Sequence, residues 1–284
     1  MVENRLSQAE RLSQHLAAMP IECHLSFQPM TDAEFADIDA RVMACAYDAQ
    51  NKLGRLCEER VYENDVAARL RAQGITDVHT QVTLAASHRG FKKIYRLDLV
   101  VRGMVYELKV AGGFAPSHDA QAYHYAAMLG LDRIKLLNFG AASVEGRLRR
   151  CPVARVDRRQ VTLNRHRWKP LTDRCDALAS DAEACLRDWG GFLDARLFEE
   201  ALTFFNGGED ACVRRLPVTR DGIELGHHRA ALHADGVAFV VTSLADDTSA
   251  HESQLRRLLE LLPIRAWQWI NIHHTEMRLV TLEK

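Results

Sequence analysis

No run of apolar residues in this 284-residue chain approaches the roughly 20 needed to cross a bilayer, so a membrane-embedded role is not expected. There is no CxxC pair. The seven cysteines (Cys23, Cys45, Cys57, Cys151, Cys175, Cys185 and Cys212) are odd in number and widely spaced, which fits reduced thiols. The opening MVENRLSQAERL is polar and charged and lacks the apolar stretch of a secretory signal. A soluble, cytoplasmic protein is the expectation. Overall charge is also scarce, at −1.

The balance hides an asymmetry. Residues 1–174 hold 26 Lys/Arg against 20 Asp/Glu, and residues 175–284 hold 11 against 18. Between Arg147 and Arg174 ten basic residues meet only Asp157 and Asp173. A basic strip beside an acidic half points to a polyanionic partner on one side of the molecule, or to a solvated surface run. Hydrophobic content of 47% supports a core, and the length suits one large domain or two ordinary ones.

Periodicity and punctuation place a short amphipathic helix over residues 5–18. A second helix starts at the capping box Thr31-Asp-Ala-Glu34 and stops at Gly54, and a third runs over about 58–73. Strand-like runs follow at 78–86, 91–101 and 104–111, then a helix over 118–129 capped by Ser117, and a strand at 134–139. The informative stretch is IYRLDLVVRGMVYELKV, two strands joined at Arg102-Gly103. A two-residue turn pairs residues whose numbers sum to 205, so Asp98 faces Glu107 and Arg96 faces Lys109 on one side. Leu97, Leu99, Val101, Met104, Tyr106 and Leu108 then form the apolar side. Opposed Cβ atoms lie roughly 4.5–5.5 Å apart. Two bare carboxylates that close repel, and either a divalent cation or the nearby cationic side chains must relieve them.

The second half repeats the first. A shift of 133 lays His228-Arg229 on Tyr95-Arg96, Asp235-Gly236 on Arg102-Gly103, His251 on His118, Gln254 on Gln121 and Asn271 on Asn138. A shift of 136 lays Gly190 on Gly54, Arg196 on Arg60, Phe198 on Tyr62 and Glu199 on Glu63. The expected organisation is a first domain over 1–145, a basic connector over 146–169 and a second copy over 170–284. Where the first copy has Asp98, Glu107 and Lys109, the second has Ala231, Val240 and Thr242. The first unit thus reads as active and the second as a degenerate, catalytically silent scaffold.

An acid on one strand followed by Glu-x-Lys on its neighbour suits metal-assisted phosphodiester hydrolysis. The carboxylates can hold Mg²⁺ or Mn²⁺, and Lys109 can orient the attacking water or offset charge on the phosphate. His118, Gln121 and Tyr125 share one helix face, as do Glu59 and Tyr62 on the helix before the strands. His88, Arg89, Lys92 and Lys93 sit in a turn that could touch phosphate or simply face water. Trp267 and Trp269 read as core, and the pairs His227-His228 and His273-His274 as poor chelators.

These pieces, Glu59-Arg-Val-Tyr62, Asp98, Glu107-Leu-Lys109, His118 through Tyr125 and Asn138-Phe139, make the first unit similar to the PD-(D/E)XK nuclease superfamily. Within it, they resemble the bacterial group with a GxxExxY signature. The likeness covers about residues 35–140 directly and 185–275 as a degenerate copy. Leu56 stands where that signature has its Gly, and Leu97 where many members have Pro before the Asp. The resemblance implies an α/β, restriction-endonuclease-like mixed sheet flanked by helices, here present twice, and Mg²⁺- or Mn²⁺-dependent cleavage of nucleic acid. It carries over Glu59, Asp98, Glu107, Lys109 and Gln121 as active-site residues, followed by Tyr125 and His118. The metal would sit on Asp98, Glu107 and the Leu108 carbonyl. Arg96, Lys92, Lys93, Arg147, Arg149, Arg150, Arg158 and Arg159 are the expected nucleic-acid contacts, with DNA favoured over RNA. The second unit could close a nucleic-acid channel, self-associate or hold a protein partner. The alternative reading is a non-cleaving nucleic-acid-binding or adaptor subunit of a larger defence or repair complex.

Overall fold

The structure, a computed structural model, describes residues 20–151 and 157–284; the helix expected over 5–18 lies outside them. Among the described residues there are two six-stranded mixed sheets, each flanked by helices. The first runs β1 (Ile21–Cys23), β2 (Val78–His88), β3 (Phe91–Val101), β4 (Met104–Lys109), β5 (Arg133–Asn138) and β6 (Glu145–Arg150), in that spatial order. All its neighbours are antiparallel except β4 and β5, which run parallel because helix α3 (Pro116–Leu129) carries the chain back between them.

Helix α1 (Asp32–Leu53) opens on the expected capping box. Thr31 Oγ1 accepts the Glu34 N–H at 3.2 Å, and the Glu34 carboxylate accepts the Thr31 N–H at 2.8 Å. It ends at Gly54, whose φ of 76° lets its N–H reach the Gln50 carbonyl. Ile38, Val42, Cys45 and Ala49 form its buried face and pack with α2 (Glu59–Ala72) on one side of the sheet. Helix α3 starts at Pro116 rather than at His118. His118 Nδ1 accepts the Ala115 N–H at 3.2 Å, so the histidine, not Ser117, provides the cap.

The second sheet runs β8 (Val213–Arg220), β9 (Ile223–Ala234), β10 (Val237–Thr242), β11 (Ala266–His273), β12 (Glu276–Glu283) and β7 (Thr162–Arg167). Its helices are α4 (Asp173–Trp189), α5 (Ala195–Phe205), the short α6 (Glu209–Cys212) and α7 (Thr248–Leu261). The arrangement is consistent with a twofold repeat of one fold. Gly190 ends α4 as Gly54 ends α1, its N–H on the Leu186 carbonyl. The Asn138 amide oxygen accepts the Ala111 N–H at 3.0 Å, and Asn271, 133 residues on, does the same for Leu244 at 2.8 Å.

Two expectations change. The stretch 146–169 is not a free connector: most of β6 and all of β7 lie within it and close the far edges of the two sheets. And Leu97 does not share a core with Leu99. Leu99, Val101, Met104, Tyr106 and Leu108 pack under α1 and α2, whereas Leu97 joins Val82, Leu84 and Val100 on the opposite face. That opposite face is covered by α3 and by α4 and α5 of the second unit, so one core runs through both units. The β2–β3 turn sits on α4 and α5. His88 Nδ1 lies 2.6 Å from Asp188, Arg89 pairs with Asp181, Lys93 with Glu200, and the Trp189 indole N–H donates to the Ser87 carbonyl at 2.9 Å.

Candidate active site

The turn Arg102-Gly103, with φ of 49° and 79°, sets the register of β3 on β4, and Leu99↔Tyr106, Val100↔Val105 and Val101↔Met104 all sum to 205 as expected. Beyond Leu99 the strands part, and β4 continues along β5 with Glu107 opposite Leu136 and Lys109 opposite Asn138. The Asp98 carboxylate enters the gap. Its Oδ2 accepts the Leu108 N–H at 2.8 Å, taking a place that a strand carbonyl would otherwise fill. Glu107 is 2% exposed, and its Oε1 accepts from Lys109 Nζ at 2.7 Å. Its Oε2 is buried without a hydrogen-bond partner.

Two acids and a lysine therefore share a nearly dry space. Burial, then the neighbouring Asp98 charge, push the Glu107 carboxyl up to about 8. Burial also raises Asp98, against the Leu108 N–H and Lys109, which pull it down. Burial works to lower Lys109, but Glu107, Asp98 and Glu59 outweigh it and hold the ammonium above the ordinary lysine range. Both acids are thus pushed toward their protonated forms in a place where a cation could sit. Asp98, Glu107 and the backbone carbonyl between Glu107 and Lys109 are oxygen donors of the kind hard divalent cations take. The orphaned Glu107 Oε2 is the observation that fits such an ion. Among the described residues, no group of three or more His, Cys, Asp or Glu side chains is arranged to hold a metal. A cation here would draw its remaining ligands from backbone, water or substrate.

The other expected residues divide. Glu59 Oε1 accepts the Val110 N–H at 3.2 Å and so ties α2 to the end of β4. Tyr62 is a brace: its hydroxyl donates to the Gly54 carbonyl at 2.7 Å, and its ring stacks on Phe139 at 4.4 Å. Gln121 Nε2 donates to the Tyr125 hydroxyl at 3.1 Å. Burial, and then the nearby Glu107, raise that phenol to about 12. His118 caps α3 and lines, with Gln121, Tyr125, Tyr95 and the second unit's Arg196, a cavity of about 360 Å³. Two residues of the site were not foreseen. Glu63, 1% exposed, and Gln81, which donates to it at 2.6 Å, lie behind Asp98. The helical spacing of Glu59 and Glu63 was the available signal.

The basic residues do not form one free strip. Lys92 pairs with Glu22, Lys93 with Glu200, Arg147 and Arg149 with Asp119, and Arg150 with Asp32. Arg158 donates to the Gly191 carbonyl at 3.1 Å, and burial lowers its guanidinium to about 10. Arg96 and Arg159 are exposed, and among the described residues their guanidinium groups have no carboxylate partner, although the Arg159 main-chain N–H donates to Asp157 Oδ1 at 3.1 Å. Arg96 reaches only Thr83 Oγ1, at 3.5 Å.

In the second unit the equivalent space is filled. Trp269, which pairs with Val240 as Leu136 pairs with Glu107, donates its indole N–H to Thr242 Oγ1 at 2.8 Å. The His251 ring lies 5.1 Å from that indole. Trp267 and Trp269 are both core residues, as expected. A family model described as the PD-(D/E)XK nuclease superfamily matches residues 36–151. No curated protein and no solved structure matches the chain.

Proposed function

From a first unit that belongs to the PD-(D/E)XK nuclease superfamily, we infer that the chain is a metal-dependent nuclease acting on nucleic acid, with DNA the favoured substrate. The GxxExxY-type group within that superfamily is the nearest fit, through Glu59 and Tyr62. The observation that carries the reading is the meeting of Asp98 and Glu107 at the parting of β3 and β4, with Lys109 against them and one Glu107 oxygen unpaired.

Asp98, Glu107 and the Leu108 carbonyl would hold Mg²⁺ or Mn²⁺. When bound, such an ion supplies a Lewis acid at the phosphoryl oxygen and a lowered pKa for attacking water. Lys109, charged and held by Glu107, orients that water and offsets charge on the phosphate. Gln121 and Tyr125 orient the phosphate from α3, and Glu59 fixes the end of β4. Arg96 and Arg159 remain for backbone contacts, so salt dependence should be shallower than ten clustered basic residues would give. The second unit is the silent copy: Ala231, Val240 and Thr242 replace the charged trio, and Trp269 occupies the space. Its role is to clamp the β2–β3 turn through Asp188, Trp189 and Glu200. Among the described residues no helix is long and apolar enough to cross a membrane.

Digestion of a panel of single- and double-stranded DNA and RNA with Mg²⁺ or Mn²⁺ tests this reading. Wild type should yield product that EDTA abolishes, while Asp98→Asn yields none. Lys109→Ala should lose at least about a hundredfold in rate yet retain nucleic-acid binding. A non-cleaving binding module is the second reading, favoured by the convergence of only two carboxylates with Glu59 committed to the Val110 N–H. Binding that ignores EDTA, with no product on any substrate, would select it.

A further inference from the structure

Both β2 and β3 turn over at a single rung. Val78 packs under α1 and α2, but Val82 and Leu84, at the same parity, pack on the opposite face. On β3 Leu99 and Val101 belong to the first core and Leu97 to the second. The register does not slip, since Thr80↔Leu99 and Val82↔Leu97 fall on one ladder. The inversion therefore lies in the residues between them, Gln81 and Asp98. Gln81 adopts a φ of 52°, a left-handed conformation that costs a non-glycine residue about 1 kcal/mol or more. The second sheet reverses β9 differently: Ala230 and Leu232 share one core and Ala234 packs with Val237 on the other face, but there the register shifts at a bulge and no residue from Leu232 to Ala234 takes a positive φ. The strain occurs in the unit that carries the acids.

It brings one amide to two carboxyl groups. Gln81 Nε2 donates to Glu63 Oε2 at 2.6 Å and lies 3.5 Å from Asp98 Oδ1. Glu63 is anchored in turn, its Oε1 accepting from Arg60 Nη1 at 2.8 Å. Asp98 Oδ2 already holds the Leu108 N–H. Each oxygen of Asp98 thus meets a donor from a different strand, which restricts its rotamer.

We propose that Glu63 and Gln81 are positioning residues for the candidate metal centre. Glu63 anchors Gln81, and the Gln81 amide fixes Asp98 in the orientation from which it and Glu107 share one divalent cation. The proposal rests on the nuclease reading above. Partners of this kind set metal affinity by about ten- to a hundredfold.

The test is Mn²⁺ affinity of the full chain, by calorimetry and by loss of the free-Mn²⁺ electron paramagnetic resonance signal, beside the melting temperature. Gln81→Gly keeps the backbone turn, because glycine takes positive φ without strain. It should bind Mn²⁺ at least about tenfold more weakly with melting little changed. Glu63→Ala should lose as much. Glu63→Gln should lose less than Glu63→Ala, because its one amide oxygen can still accept the Gln81 N–H while its NH₂ turns to the half-exposed Arg60. At saturating Mn²⁺ the cleavage rate should fall less than the affinity. Wild-type affinity in Gln81→Gly, or equal losses in Glu63→Gln and Glu63→Ala, would overturn the proposal. Should Gln81→Gly fail to fold, the Glu63 pair decides alone. A wild-type chain that binds no Mn²⁺ overturns both this and the metal reading. One that binds it but cleaves nothing overturns the nuclease reading alone.

Discussion

His124 shows how much a single buried side chain can couple this fold to pH. Its Nδ1 accepts the Asp194 N–H at 3.1 Å from the second unit, and burial depresses its imidazole to about 4. Asp194 pulls the other way, and Lys93, Arg196 and Arg158 add to the depression. His233 is likewise buried, lowered to about 4, with Arg174 nearby. Both are neutral in the folded chain, so the unfolded chain binds more protons below pH about 6.5. Their stabilisation is complete above that pH and is lost as pH falls toward 4, by up to about 1.4 kcal/mol per pH unit for each. Thermal melting at pH 7.5 and pH 5 should show the fall, and His124→Gln should flatten it. Among the site residues, Asp98, Glu107 and Lys109 can be picked out from the chain because the two-residue turn fixes the register as far as Leu99↔Tyr106, although beyond it the strands part and Asp98 meets the Leu108 N–H. Glu63 and Gln81 could not. Their importance comes from an inversion of two strands that leaves the apolar alternation of the sequence intact.

At the scale of elements, the strongly periodic segments were legible and the sheet edges were not. Helix α1 was bounded at both ends by its capping box and Gly54, and β3–β4 by Arg102-Gly103. Strands β6 and β7, EGRLRR and TLNRHR, carry almost no apolar residues and are held by backbone pairing at the far edge of each sheet. Composition marks them as a basic linker, and only their partners make them strands. The β2–β3 turn misleads for a related reason: its histidine, arginine and lysines read as a solvated or phosphate-binding loop, yet acids on α4 and α5 claim His88, Arg89 and Lys93, and Glu22 on β1 claims Lys92. The repeat makes its own prediction. Asn138→Ala leaves the Ala111 and Gly140 N–H groups without their acceptor, and Asn271→Ala deprives Leu244. Each should cost about 2 kcal/mol in denaturant unfolding, with the two losses similar, because both amides perform the same task.

Across the whole molecule, the second unit contributes packing that the first cannot supply. Trp189, fully buried, lies against Phe91 and Phe198 and holds the Ser87 carbonyl. Trp189→Ala should destabilise the chain by about 3–5 kcal/mol. Hydrogen exchange should quicken at β2 and β3 as much as at α4, although the substituted residue lies 100 positions away. A chain ending at residue 151 would keep α3 but lose the cover that α4 and α5 give the same sheet face, and should be insoluble.

The hydrophobic layer threading both sheets also fixes how the protein comes apart. Tandem copies joined by a tether would melt in two steps, each with its own enthalpy. Here neither copy retains a complete interior once the other is lost. Heating should therefore give one calorimetric peak whose measured enthalpy equals the van't Hoff value for both copies acting as a single cooperative unit.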